Sequence, residues 1–193
     1  MDRRTVLKAI ATLGYTGGVS GCLSGTRGES GQQTPTPVDL SGQKLDDRGG
    51  MVIGDHGGPN GQIFYRSHTP DGHDNPAWFH TLTFGLFPYY FEHKRAGWTA
   101  EAIYVTDYST VEYTLSEGAG DRTVISAPTA AETFGDATEM TYVMESEVSG
   151  GMGPALLPFS VVDDADSFID DHGGQRITFG EITPERIAKY TQP

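Results

Sequence analysis

The chain has a single cysteine, Cys22, close to its N-terminus. No intrachain disulfide can form and no cysteine-based zinc site can exist, so a folded body downstream must hold itself together by packing alone. With 193 residues and 36% hydrophobic content, that is feasible for one domain or two small half-domains.

The setting of Cys22 accounts for it. The segment MDRRTVLKAIATLGYTGGVSGC begins with Arg3 and Arg4 and runs through a mostly apolar stretch from Val6 to about Tyr15, interrupted by Lys8. Small residues then precede Cys22. This is an export signal, too short and too glycine-rich to stay as a transmembrane helix. Arg3-Arg4 followed by Thr-Val-Leu-Lys resembles a twin-arginine signal, which implies export of a folded protein. Val19-Ser20-Gly21-Cys22 resembles a lipobox, whose cysteine is lipidated and becomes the new N-terminus. Residues 23–45 lack apolar periodicity and are rich in Gly, Ser, Thr, Gln and Pro, so they are expected to form a flexible tether. The organisation expected is a signal over 1–22, a tether over 23–45 and a body over 46–193, held by lipid at the outer face of the cytoplasmic membrane.

Charge narrows the partners. The formal net charge is −13; Arg3, Arg4 and Lys8 against Asp2 give the first 22 residues +2, leaving −15 on the remainder. Lys44, Lys94 and Lys189 are the only lysines after Cys22. So acidic a surface excludes nucleic acid as a partner and resembles that of halophile proteins, whose carboxylates hold water in concentrated salt.

Within the body, GQIFYRS (61–67) reads as a strand, and Phe84 to His93 has helical spacing with Pro88 disturbing its middle. Strands are expected over 101–108, 110–115, 122–127 and 140–148, the last alternating with Met140, Tyr142 and Met144 on one face. From Asp163 an acidic first turn, the shared face of Ala165, Phe168, Ile169 and His172, and Gly173-Gly174 mark a helix. A strand over 175–180 and a helix with Thr183 as N-cap and Pro184 at its first position follow. The class is α+β. Two halves, about 46–97 and 98–193, repeat a pattern of Gly-Gly-Met, strand and helix ending in His: Met51, GQIFYRS and His93, then Met152, PALLPFS and His172. The segment 68–79 is an insertion in the first half.

Met51 and Met152 lie in glycine-rich turns, where nothing calls for a core side chain. A thioether is soft and neutral, with little affinity for zinc, calcium or magnesium but a good match to Cu(I). Glycine on both sides of Met152 leaves its sulfur unobstructed. A site of Met51, Met152 and His172, with His56 and His93 in reserve, would favour the reduced ion. Met140 and Met144 are expected to fill a core face. His68, His73 and His80, in or beside the insertion, are expected to be solvated or structural. For Met51 and Met152 gap-filling at a strand start is the alternative, and for His172 an imidazolium stabilised by the helix C-terminus. No nucleophile elbow, phosphate loop or HExxH helix occurs, so no enzyme is expected.

GGMVIGDHGGPNGQIFY, YVTDYSTVEYTL, YVMESEVSGGMGPALLPFS and DADSFIDDHGGQRITFGEITPERI, in that order, resemble the NosL family of lipid-anchored copper chaperones associated with nitrous-oxide reductase. The resemblance covers about Gly49 to Ile187. It implies two similar ββαβ half-domains, related in architecture to organomercurial lyase. It also implies a Cu(I) carrier serving nitrous-oxide reductase or its copper-assembly factors, in denitrification. One departure stands out: the family pattern Cys-Gly-Met reads Gly49-Gly50-Met51 here, so the strongest soft ligand is missing, and Cys22 cannot replace it once lipidated. Two alternatives keep the fold: a carrier for another exported cuproprotein, and an interaction lipoprotein that binds no metal. Carbon–mercury cleavage is excluded, because it needs paired thiols.

Overall fold

The computed structural model describes residues 34–191. The signal, Cys22 and residues 23–33 of the expected tether lie outside the described residues. In chain order the elements are β1 (Gly61–Tyr65), β2 (Ala77–Phe79), α1 (Phe87–Arg95), β3 (Ala100–Thr106), β4 (Leu115–Glu117), β5 (Thr123–Ile125) and β6 (Phe134–Asp136). They continue with β7 (Thr141–Met144), β8 (Val148–Gly150), β9 (Gly153–Pro154), β10 (Leu157–Phe159), α2 (Val162–His172), β11 (Gln175–Thr178) and α3 (Pro184–Tyr190). None of the described helices is long and apolar enough to cross a membrane.

Two ββαβ units are visible. In the first, β1 lies between β2 and β3, antiparallel to both; in the second, β7 lies between β10 and β11 in the same way. In each unit the helix connects the two outer strands. β6 extends the first sheet beyond β3, and a third sheet, β4-β5-β8-β9, takes its strands from between and within the units.

This arrangement corrects the alignment of the repeat. β1 corresponds to β7, and PALLPFS, as β10, corresponds to β2 rather than to β1. Met51 therefore precedes the first unit, whereas Met152 lies inside the second unit's first hairpin. The half boundary at 97 is also displaced, because β3 pairs along the length of β1 and completes the first unit.

Residues 34–45 are no tether. The Gln62 side chain, fully buried, accepts from Val38 N at 2.9 Å and donates to Val38 O at 3.0 Å. Tyr104 Oη donates to Pro35 O, and Leu40 is fully buried beside Ile53 and Phe134. Two apolar side chains and a bidentate amide fix a stretch whose composition reads as linker.

The helical run changes register just ahead of Pro88, which falls in the first turn of α1, where its missing N–H costs nothing. Ahead of it, Leu82–Leu86 form a wider π-type turn, with Thr81 Oγ1 accepting from Phe84 N and Gly85 N. β1 can approach this turn because Gly61 has no side chain; a Cβ there would sit 2.3 Å from Leu86 Cδ1. The expected strand over 110–115 is instead a turn held by Asp107 and reaches strand geometry only at Leu115. The run 140–148 breaks after Met144, where Glu145 takes φ +60°.

β7 is buried on both faces. Tyr142 and Met144 enter the main core with Phe79, Leu82, Phe87 and Ile177, as the alternation predicts, while Val143 enters a second core with Leu157, Phe159 and Phe168. Both cores thus meet at one strand, and Met140 also packs in the first.

Candidate metal centre

The first methionine is carried by a tight hairpin. Asp46 N donates to Met51 O at 2.8 Å, Gly50 N to Asp46 O at 2.8 Å and Ile53 N to Lys44 O at 2.9 Å. Gly50 supplies the positive φ, +65°, that closes the turn. The Asp46 carboxylate holds the inside: Oδ1 accepts from Arg48 N at 2.7 Å and Gly49 N at 2.6 Å, while Oδ2 accepts from His80 N at 2.8 Å and pairs with His80 Nδ1 at 2.7 Å. Burial alone would raise the Asp46 pKa, but the bonds from His80, Gly49 and Arg48 outweigh it and hold the carboxyl below its ordinary value.

His80 is 5% exposed. With a carboxylate facing Nδ1, that nitrogen carries the hydrogen, and Nε2 is left as a lone-pair acceptor. Nε2 is buried and has no hydrogen-bond partner among the described residues. A Cβ built on Gly49 would lie 3.7 Å from His80 Cε1 and 3.9 Å from Met51 Cγ, so imidazole and thioether border the same point.

The second methionine lies at the tip of the β8–β9 hairpin, 47% exposed. That hairpin is locked onto the segment following Met51. Gly151 N donates to Gly57 O at 2.6 Å, and a Cβ on Gly151 would meet His56 O at 2.6 Å. Thr83 Oγ1 donates to Pro154 O at 2.8 Å, tying the hairpin to the turn after His80. Met152 borders a shallow recess with Gly58, Thr81 and Thr83. His56 is exposed, its ring edge-on to His80 with centroids 6.4 Å apart.

The Gly49 position thus adjoins Met51 and His80, His56 lies edge-on to His80, and the Met152 hairpin is tied at Gly151 to the His56–Gly57 segment. His172 and His93 are placed in aromatic clusters of their own. His172 ends α2 with its ring 4.7 Å from Phe168 and borders a cleft with Tyr108 and Tyr113. His93 ends α1, stacked on Tyr89 at 3.8 Å, its Nδ1 2.9 Å from Tyr89 O. Each packs on an aromatic four residues earlier, an arrangement common to both units. His68 stacks on Trp98, and His73 stacks on Trp78 while bonding Asp47. His80, expected to be solvated or structural, is buried and braces the Asp46 turn that carries Met51.

Among the described residues no three His, Asp or Glu side chains gather as a metal site. Thioether sulfur and imidazole nitrogen, the donors carried by Met51, Met152, His56 and His80, suit Cu(I) far better than a hard cation.

The NosL family model matches residues 37–187. Among solved structures, the chain is similar to the crystal structure of the copper chaperone NosL from Shewanella denitrificans. The two are 24% identical, with a TM-score of 0.60 over 76% of this chain and 94% of that one. No curated protein matches the chain.

Proposed function

The chain belongs to the NosL family, and we propose that it is an exported Cu(I) chaperone whose cargo is held between the Met51 turn and the Met152 hairpin. The observation that carries this reading is the lock between those two segments, Gly151 N to Gly57 O, which ties the hairpin bearing the exposed Met152 to the segment that follows the half-buried Met51. Neutral donors bind Cu(I) less tightly than a thiolate would, which suits a carrier that has to release its ion. They also escape thiol oxidation. The chain carries a cargo and catalyses no reaction in this reading.

The signal-like N-terminus supports export with a lipid on Cys22, which would hold the body at the outer face of the cytoplasmic membrane. Its recipient in this proposal is nitrous-oxide reductase or the factors that assemble that enzyme's copper centres, in a denitrifying, salt-adapted cell. The acidic surface fits concentrated salt.

The test is an anaerobic titration of Cu(I) against a chromophoric chelator in high salt, with Met152→Ala in parallel. One-to-one binding that weakens at least about tenfold in the variant, about 1.4 kcal/mol, supports the proposal. No binding by the unaltered chain would overturn it and leave a non-metal interaction role.

A further inference from the structure

We infer that His80 Nε2 is the nitrogen ligand to Cu(I), oriented by Asp46, and takes the place of the thiol absent at Gly49. This rests on the copper reading above. It assigns the imidazole role to a residue that neither helix-end histidine resembles in its surroundings.

A buried acceptor without a partner costs about 1–3 kcal/mol, and folded proteins leave few of them. His80 is 5% exposed, its Nδ1 is fixed on Asp46 Oδ2 at 2.7 Å, and its Nε2 is sealed from solvent with no donor among the described residues. Metal-binding histidines have this form: one ring nitrogen donates to a carboxylate, which sets the tautomer and raises the basicity of the other, which then faces the metal. Asp46 is itself fixed by two further backbone donors from its own turn, Arg48 N and Gly49 N, so the ring can swing away only by giving up its bond to a carboxylate that the Met51 hairpin holds in place.

Position supports the same assignment. The point where a side chain at residue 49 would begin is 3.7 Å from His80 Cε1 and 3.9 Å from Met51 Cγ, so the missing thiol and this imidazole would serve one centre. His172 and His93 have no carboxylate on a ring nitrogen among the described contacts, and each lies against its own aromatic residues. Since Nε2 is closed to solvent, an arriving ion has to displace a neighbour. The exposed His56, edge-on to His80, is the ring on the solvent side.

The experiment uses the full chain with nitrogen-15 in its histidines, titrated anaerobically with Cu(I) and followed by NMR, with affinity measured against a chelator. His80→Gln and His172→Gln are run in parallel. The expected result is a large shift of His80 Nε2 on addition of one equivalent, with Nδ1 still protonated. Affinity should fall about 10–100-fold in His80→Gln and stay within about twofold in His172→Gln. Asp46→Asn should show His80 distributed between tautomers before any metal is added, and should weaken Cu(I) binding. If the chain binds Cu(I) while His80 Nε2 stays unshifted, His80 is a core histidine satisfied by water; the inference then fails and the chaperone reading survives. If no Cu(I) binds at all, both fail. The NMR measurement on the unaltered chain decides the matter even if His80→Gln does not fold.

Discussion

Restoring a cysteine at position 49 should tighten copper binding without disturbing the fold. The nearest heavy atoms to a Cβ on Gly49 are Asp46 Oδ1 at 3.6 Å, His80 Cε1 at 3.7 Å and Met51 Cγ at 3.9 Å, all ordinary van der Waals distances, and Gly49 is outside the left-handed region. The substitution therefore brings no clash, and it removes unfolded-state freedom worth about 0.4–1 kcal/mol. For a domain of this size that corresponds to a Tm rise of about 1–4 °C. The neighbouring Gly50→Ala is the contrast: at φ +65° it should cost about 1–2 kcal/mol and lower Tm by about 2–8 °C. Gly49→Cys adds an anionic sulfur to the donor set, so Cu(I) affinity should rise at least about tenfold, or about 1.4 kcal/mol. The new sulfur would start near the ionised Asp46, which disfavours the free thiolate. Copper then has to displace a proton, and the gain should grow as pH rises. Thermal unfolding and chelator competition at several pH values, both anaerobic and in high salt, measure the two quantities. A Gly49→Cys variant that keeps its Tm but binds copper no more tightly would refute the placement of the site beside Gly49.

Two further substitutions test the surroundings. Gly151→Ala pushes a methyl group onto the His56 backbone and strains the Gly151–Gly57 bond. Overpacking of about 1–3 kcal/mol plus a lost hydrogen bond of about 0.5–1.5 kcal/mol should lower Tm by several degrees and weaken copper binding as the two methionine turns separate. Asp47 is the pH-sensitive position. Burial raises its pKa above the usual 3.8 more than its bonds to Trp78 and His73 lower it, so the folded state keeps this proton longer than the unfolded chain does. The stability it contributes is full below pH 3.8 and is lost as pH rises through the folded value. Asp47→Asn should remove that slope, and denaturant titrations between pH 3 and neutrality should show the variant gaining on the parent as pH rises.

What the sequence made legible follows from how local each signal is. The α2 helix, with its acidic first turn and Gly173 at φ +67°, and the α3 start at Thr183-Pro184 depend on adjacent residues and stand where expected. The buried face of Met140, Tyr142 and Met144 needs only an alternation. The tether boundary failed because two apolar residues among many polar ones decide it, and their partners Gln62, Ile53 and Phe134 come later in the chain. The repeat is legible but its alignment is not: the two Gly-Gly-Met strings are alike, while hydrogen-bond order matches β1 with β7. Met51 and Met152 stood out because glycines flank them. His80 did not, since its meaning comes from Asp46, 34 residues earlier, and no periodicity links them.

Charge explains how such a centre can do without its cysteine. A Cu(I) ion held by one thiolate and neutral donors is a neutral assembly, whereas the same ion on thioethers and imidazole alone would be a buried cation, which is costly to enclose. Asp46 supplies the missing negative charge one bond removed. Its side chain is fully buried and its pKa is held low by the bonds from His80, Gly49 and Arg48, so it stays ionised in contact with the imidazole. The charge acts through His80: it strengthens Nε2 as a donor and offsets the ion's positive charge, without adding a ligand that would slow release. On this argument Asp46→Asn should weaken Cu(I) binding even where the hairpin survives. Gly49→Cys combined with Asp46→Asn should recover much of that loss, because the thiolate brings back the charge the carboxylate supplied. Chelator competition on the two single variants and the double variant measures this coupling. Strictly additive losses and gains would show that the carboxylate only props up the turn.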